Sequence, residues 1–115
     1  MPAADRFLRL LARERARLPA AFQDLLEEVA VLVADAPARA DREALALRSR
    51  ERLYGLYEGS GPGHGPARIM LFRRALERDF PGDRALGREI GRTLRHELGH
   101  HLGYDEERLE ALGLG

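Results

Sequence analysis

His96, Glu97 and His100 are the residues whose types and spacing point to chemistry in this chain. Together with Leu98 and Gly99 they spell H-E-x-x-H. On an α-helix, residues four apart stand on one face, about 40° from each other around the axis, so both imidazoles can reach one metal ion. Glu97, one step after the first histidine, can reach a water molecule on that metal. A metal at this place would acidify the water, and Glu97 would take its proton as the oxygen attacks a carbonyl carbon. The bland reading of the same residues is a solvated helix face, so the pattern needs a helix beneath it, a third ligand and a cleft.

The chain offers a restricted ligand set. It has no cysteine, which removes disulfides, thiolate ligands and thiol nucleophiles together, so a metal must be held by histidine and carboxylate. A catalytic zinc ion takes three protein ligands and leaves a fourth position to water. His101 follows the motif directly, and three of the four histidines lie within six residues. By rotation, however, His101 stands about 140° from His96, inside the apolar stripe. It is expected to be buried with a hydrogen-bond partner rather than to bind the metal. Thr93 and Glu89 rotate onto the face of His96, one and two turns earlier respectively.

A helix of about Arg84 to Leu102 must carry the motif, with Asp83 as its cap and Gly103 as a left-handed stop. Leu86, Ile90, Leu94 and Leu98 recur at steps of four and form its core face, roughly opposite the histidine pair. Gly87 and Gly91, close to that stripe, admit a neighbouring element. Before this helix, Asp5 can cap a first helix with Phe7, Leu8, Leu10, Leu11 and Leu18 at helical spacing. Pro19 suits the start of a short second helix reaching Leu26. Residues 29–34, 53–58 and 68–72 are short and apolar and read as strands. The Gly/Pro-rich run from Gly59 to Pro66, which contains His64, connects two of them. Residues 41–52 favour helix by composition, Arg74 to Asp79 form a helical turn, and Asp105-Glu106-Glu107 open a last helix through about Leu112. The fold class is therefore α+β, with three or four strands in a small sheet packed by N-terminal helices and the long motif helix.

The bulk composition excludes several function classes. At 115 residues the chain has the length of one domain, spanning 1–115. Lys+Arg and Asp+Glu number 19 each, so broad electrostatic binding to nucleic acid is not expected. Every basic residue is arginine. No run has membrane-spanning length, and Asp5, Arg6 and Arg9 interrupt the first apolar residues, so neither a membrane nor a secretory signal is expected. The expected location is the cytoplasm. Nothing in the sequence sets an oligomeric state.

The sequence resembles the small bacterial zincin-like metallopeptidases, the minimal zincins. The resemblance rests on Leu53-Tyr54-Gly55-Leu56-Tyr57-Glu58-Gly59, on Arg68-Ile69-Met70-Leu71-Phe72, and above all on Thr93 to Gly113 with its His96-Glu97-Leu98-Gly99-His100-His101-Leu102-Gly103 run. It implies a zincin core of small mixed sheet, backing helix and active-site helix, with a zinc ion and a peptidase-like site. In the related extended motif H-E-x-x-H-x-x-G-x-x-(His or Asp), Gly103 takes the glycine position and the third ligand falls on Glu106, with Asp105 as the alternative. Relatives more usually carry aspartate there. Both methionines, Met1 and Met70, precede the motif, so the methionine turn of the metzincins has no counterpart. The function implied is a zinc-dependent metallopeptidase acting on a peptide or protein substrate. His96, His100 and Glu106 would be its ligands and Glu97 its general base. The alternative is a non-catalytic metal-binding or regulatory protein-interaction module on the same scaffold. The strand at Arg68 to Phe72 is expected to offer an edge to an extended peptide.

Overall fold

A computed structural model describes residues 2–38, 54–59 and 66–114 of the chain. The expected helix at 41–52, the start of the expected strand at Leu53, and His64 lie outside the described residues. Among the described residues, eight elements follow in order: α1 (Pro2–Arg17), α2 (Ala20–Leu26), β1 (Ala30–Ala34), β2 (Gly55–Glu58), β3 (Arg68–Phe72), α3 (Arg73–Asp79), α4 (Asp83–His101) and α5 (Glu106–Ala111). The architecture is α+β, as the periodicities predict. Among the described residues, no helix is long and apolar enough to cross a membrane.

The strands form a mixed sheet in the order β1-β3-β2. β1 runs parallel to β3, with Ala30 opposite Arg68 and Ala34 opposite Phe72. β2 runs antiparallel to β3, with Gly55 opposite Leu71 and Glu58 opposite Arg68. The last pair is also ionic, at 3.1 Å. This order corrects the expectation that Arg68–Phe72 offers an edge for peptide. β3 is hydrogen-bonded on both sides, and the free edges among the described strands belong to β1 and β2. The reason lies in its burial: Ile69, Leu71 and Phe72 are almost wholly enclosed, which suits a central strand.

The sheet and α1 bury the apolar face of α4. Leu86, Ile90, Leu94 and Leu98 are each fully buried, as their step of four predicts. They meet Phe7, Leu10 and Leu11 from α1, Leu18 just beyond its end, Ile69 and Leu71 from β3, and Leu76 from α3. Each such side chain contributes about 1.5–3 kcal/mol relative to exposure. Gly87 and Gly91 give α1 its close approach. A Cβ at Gly91 would lie only 2.8 Å from Glu14 Oε1.

Two expected caps are replaced by other arrangements. Gly82 holds the N-cap position of α4, and Asp83 is the first helical residue, without a capping hydrogen bond. Its carboxylate pairs with Arg6, whose Nη2 also donates to Pro81 O at 2.8 Å. A tertiary tie between α1 and the start of α4 has displaced the local cap. Similarly, α1 begins at Pro2, which leaves Asp5 inside its first turn.

Candidate metal centre

Two glycines at positive φ organise the chain around the H-E-x-x-H motif. α4 ends at His101, and Gly103 follows with φ +87°. Its N–H donates to His100 O at 2.9 Å, and the N–H of Tyr104 donates to Gly99 O at 3.1 Å. This is a complete Schellman closure, which a residue without Cβ enters at little cost. The chain reverses, and Asp105 caps α5 by accepting from Arg108 N at 2.8 Å. α5 then lies back over α4, where Leu109, fully buried, rests on Gly99; a Cβ at Gly99 would collide with the Leu109 side chain. At the far end of α5 the same closure recurs. Gly113 has φ +77°, its N–H donates to Glu110 O at 3.0 Å, and Leu114 N donates to Leu109 O at 2.8 Å.

The residue after each glycine delivers its carbonyl to one histidine. Tyr104 O lies 2.9 Å from His100 Nδ1, and Leu114 O lies 3.1 Å from His96 Nδ1. A carbonyl oxygen can only accept, so both Nδ1 atoms carry protons and donate. In the neutral rings the lone pairs are then on Nε2. Both Nε2 atoms face the carboxylate of Glu106, the first residue of α5: His100 Nε2 stands 2.8 Å and His96 Nε2 3.2 Å from its oxygens.

That arrangement tests whether the residues fit a metal. Two nitrogen lone pairs and a carboxylate, all acceptors, converge on one another, and they repel unless positive charge lies between them. A single divalent cation satisfies all three groups. Tetrahedral ligands bonded to zinc at about 2.0–2.1 Å stand about 3.3 Å apart, close to the spacing found here. The donor set therefore fits zinc.

Glu97 lies beside the same pair of imidazoles. It is almost completely buried, and its Oε2 lies 3.9 Å from His96 Nε2. Ligand-type atoms of His96, Glu97 and His100 all fall within 4.8 Å of one another. Gly55 of β2 makes room for this side of α4. A Cβ there would lie 2.7 Å from Thr93 Cγ2, 3.2 Å from Met70 O and 3.6 Å from Glu97 Cγ. Exposure is graded across the centre: the side chains of His96, His100 and Glu106 are 4, 15 and 44 % exposed, so the centre opens towards solvent beside Glu106.

The remaining singled-out residues fall elsewhere. His101 turns from the centre, as its rotation predicts, and its Nδ1 lies 2.7 Å from Tyr57 Oη. Its Nε2 is 3.6 Å from Glu28 Oε1. Burial raises the Tyr57 phenol above its ordinary 10.0, so it remains protonated at neutral pH. Thr93 is buried and its hydroxyl donates to Glu89 O at 2.7 Å, while the Glu89 carboxylate pairs with Arg92. Tyr54 donates to Asp79 at 2.6 Å and packs on Phe80. The Tyr104 ring sits under the Arg108 guanidinium, and only its main chain reaches the centre. Glu107 and Glu110 are exposed.

The carbonyls of Tyr104 and Leu114 escaped the reading of side chains. The signal that marks them is a repeat, Leu102-Gly103 and Leu112-Gly113, each at a helix end. The helical periodicity before Gly103 predicts only the first as a stop.

A small mixed sheet, a backing helix and an H-E-x-x-H helix closed by a returning turn together define a small zincin-like fold. The family model for zincin-like metallopeptidases matches residues 26–115, and the chain belongs to that family. Membership implies a metal, typically zinc, and suggests metallopeptidase-type function. A search of curated proteins returned no match.

Proposed function

We propose that the protein is a zinc-dependent peptidase in which His96, His100 and Glu106 hold the metal and Glu97 moves the proton. The observation that carries this reading is the convergence of two Nε2 lone pairs on the Glu106 carboxylate, with both Nδ1 atoms tied to main-chain carbonyls. Zinc held there supplies an acidified water molecule and a Lewis acid for the scissile carbonyl. The chain's own groups do the rest. The carbonyls of Leu114 and Tyr104 hold the rings in the orientation that presents Nε2. Glu97 Oε2 accepts the proton released from the water and returns it to the leaving amine nitrogen. Burial of Glu97 keeps that transfer away from bulk water. Asp105 is not assigned as a ligand, because its carboxylate caps α5. The substrate is a peptide or protein entering from the open side beside Glu106, and the proposed location is the cytoplasm.

The test combines metal analysis with a broad peptide panel. Purified protein is expected to hold one zinc per chain and to hydrolyse at least one peptide. Glu97→Gln should keep the zinc and lose about 10²–10⁴-fold in rate. Zinc without hydrolysis by the natural sequence would favour a non-catalytic metal module. Folded protein that takes up no zinc would sink the metal reading.

A further inference from the structure

α1 and α4 enclose a second concave site, of about 740 Å³, lined by Arg13 and Arg17 from the first helix and Arg84, Arg88 and Arg95 from the second. We propose that this cavity binds a compact oligophosphate, a ligand carrying a di- or triphosphate group. Arg13 and Arg17 are one turn apart. Arg84, Arg88 and Arg95 stand at steps of four and seven and so lie within about 40° of one another around α4. The two arginine rows flank the seam where Gly87 and Gly91 let α1 come close.

The charge balance of the cavity is what calls for an anion. Five arginines line it against two carboxylates, Glu14 and Asp83. Asp83 is already paired with Arg6, and Glu14 Oε2 lies 3.4 Å from Arg17 Nη1 while its other oxygen rests over Gly91. Arg13, Arg84, Arg88 and Arg95 have no ion pair among the described residues. The chain as a whole has equal numbers of basic and acidic residues, so the excess is local and not a reflection of a basic protein. Like charges gathered in one concavity repel, and a bound polyanion removes that cost. Guanidinium forks match phosphate oxygens two by two. The volume lies in the range of small-ligand sites, which favours a compact ligand over a nucleic-acid backbone. Around α4 the arginine row is about 80–120° from His96, so the site is distinct from the metal centre and does not depend on its assignment.

Calorimetric titration of the whole protein with sodium triphosphate, ATP, orthophosphate and sulfate at matched ionic strength tests the proposal. Zinc content is measured before and after, so that chelation is separated from binding. Triphosphate and ATP should bind once per chain with similar affinity, and more tightly than orthophosphate or sulfate. Arg13→Gln with Arg17→Gln, and Arg84→Gln with Arg88→Gln, should each weaken triphosphate by about tenfold or more. Arg74→Gln, at an exposed position of α3, should not change it. If a double variant misfolds by circular dichroism, Arg88→Lys keeps the charge without the fork and should still weaken binding. Failure of triphosphate to bind, binding unchanged in these variants, or binding only to oligonucleotides with affinity rising with length would overturn the proposal.

Discussion

Glu97 and Glu106 both lie beside one pair of imidazoles, yet their surroundings give them different chemistry. Glu106 Oε1 is within 3.2 Å of both Nε2 atoms and its side chain is 44 % exposed, as suits a ligand at the mouth of a site. Glu97 is nearly sealed and stands 3.9 Å from the nearer ring, as suits a base that works through an intervening water. Glu106→Ala should therefore weaken zinc by more than about a hundredfold in competition with a chromophoric chelator, because removing a ligand costs more than removing a group that only orients one. Asp105→Ala should instead cost about 1 kcal/mol in denaturant unfolding, the usual worth of an N-cap, and weaken zinc far less. An Asp105 variant losing as much zinc as the Glu106 variant would reverse the assignment. Tyr57 permits a prediction on pH. Its folded pKa is raised above the unfolded value, so the stability it contributes is complete below the unfolded value of 10.0 and is lost as pH rises through the higher folded value. Ultraviolet titration of the folded protein should show one tyrosine ionising late, and Tyr57→Phe should remove it.

At the scale of elements, the site depends on two helix stops and one close crossing. Gly103 and Gly113 adopt φ of +87° and +77°, and no Cβ would meet a neighbour at either position, so the requirement is conformational rather than steric. Gly113→Ala should cost about 1–2 kcal/mol for the left-handed backbone. It should also displace Leu114 O from His96 and weaken zinc by roughly 10–100-fold. Gly82→Ala, another open position but with ordinary φ, serves as the control and should leave zinc affinity unchanged. The length of α4, its buried stripe and its first stop were all legible, because helical periodicity and a terminal glycine act within a few residues. The second closure was not read, since nothing in Leu112-Gly113 itself tells that the next carbonyl will meet a histidine many residues back. Nor was the place of β3. A strand sequence shows how apolar it is, but which neighbours occupy its two edges depends on the whole sheet.

For the whole molecule, the candidate metal centre joins α4, α5 and the segment at Leu114, so a metal held there would couple binding to folding. Zinc at a hundred times its dissociation constant should add about 2.7 kcal/mol to stability, and a chelator should lower the melting temperature by roughly 10 °C. Scanning calorimetry with and without chelator checks this, and no shift would mean that the three groups do not share an ion in the native state. The chain's membership of the zincin-like family accords with the grouping of His96, Glu97 and His100 on α4.

The sequence alone determined that His96 and His100 share a helix face, that Glu97 stands beside them and that His101 turns away, because these relations follow from a rise and rotation repeated every residue. It left Asp105 and Glu106 open. Only the tertiary structure placed one carboxylate on the cap and the other among the imidazoles, because that placement depends on how closely Leu109 can settle on Gly99 when α5 returns across α4. Contact between elements brought back by a turn is a property of packing, and a list of residue types does not contain it.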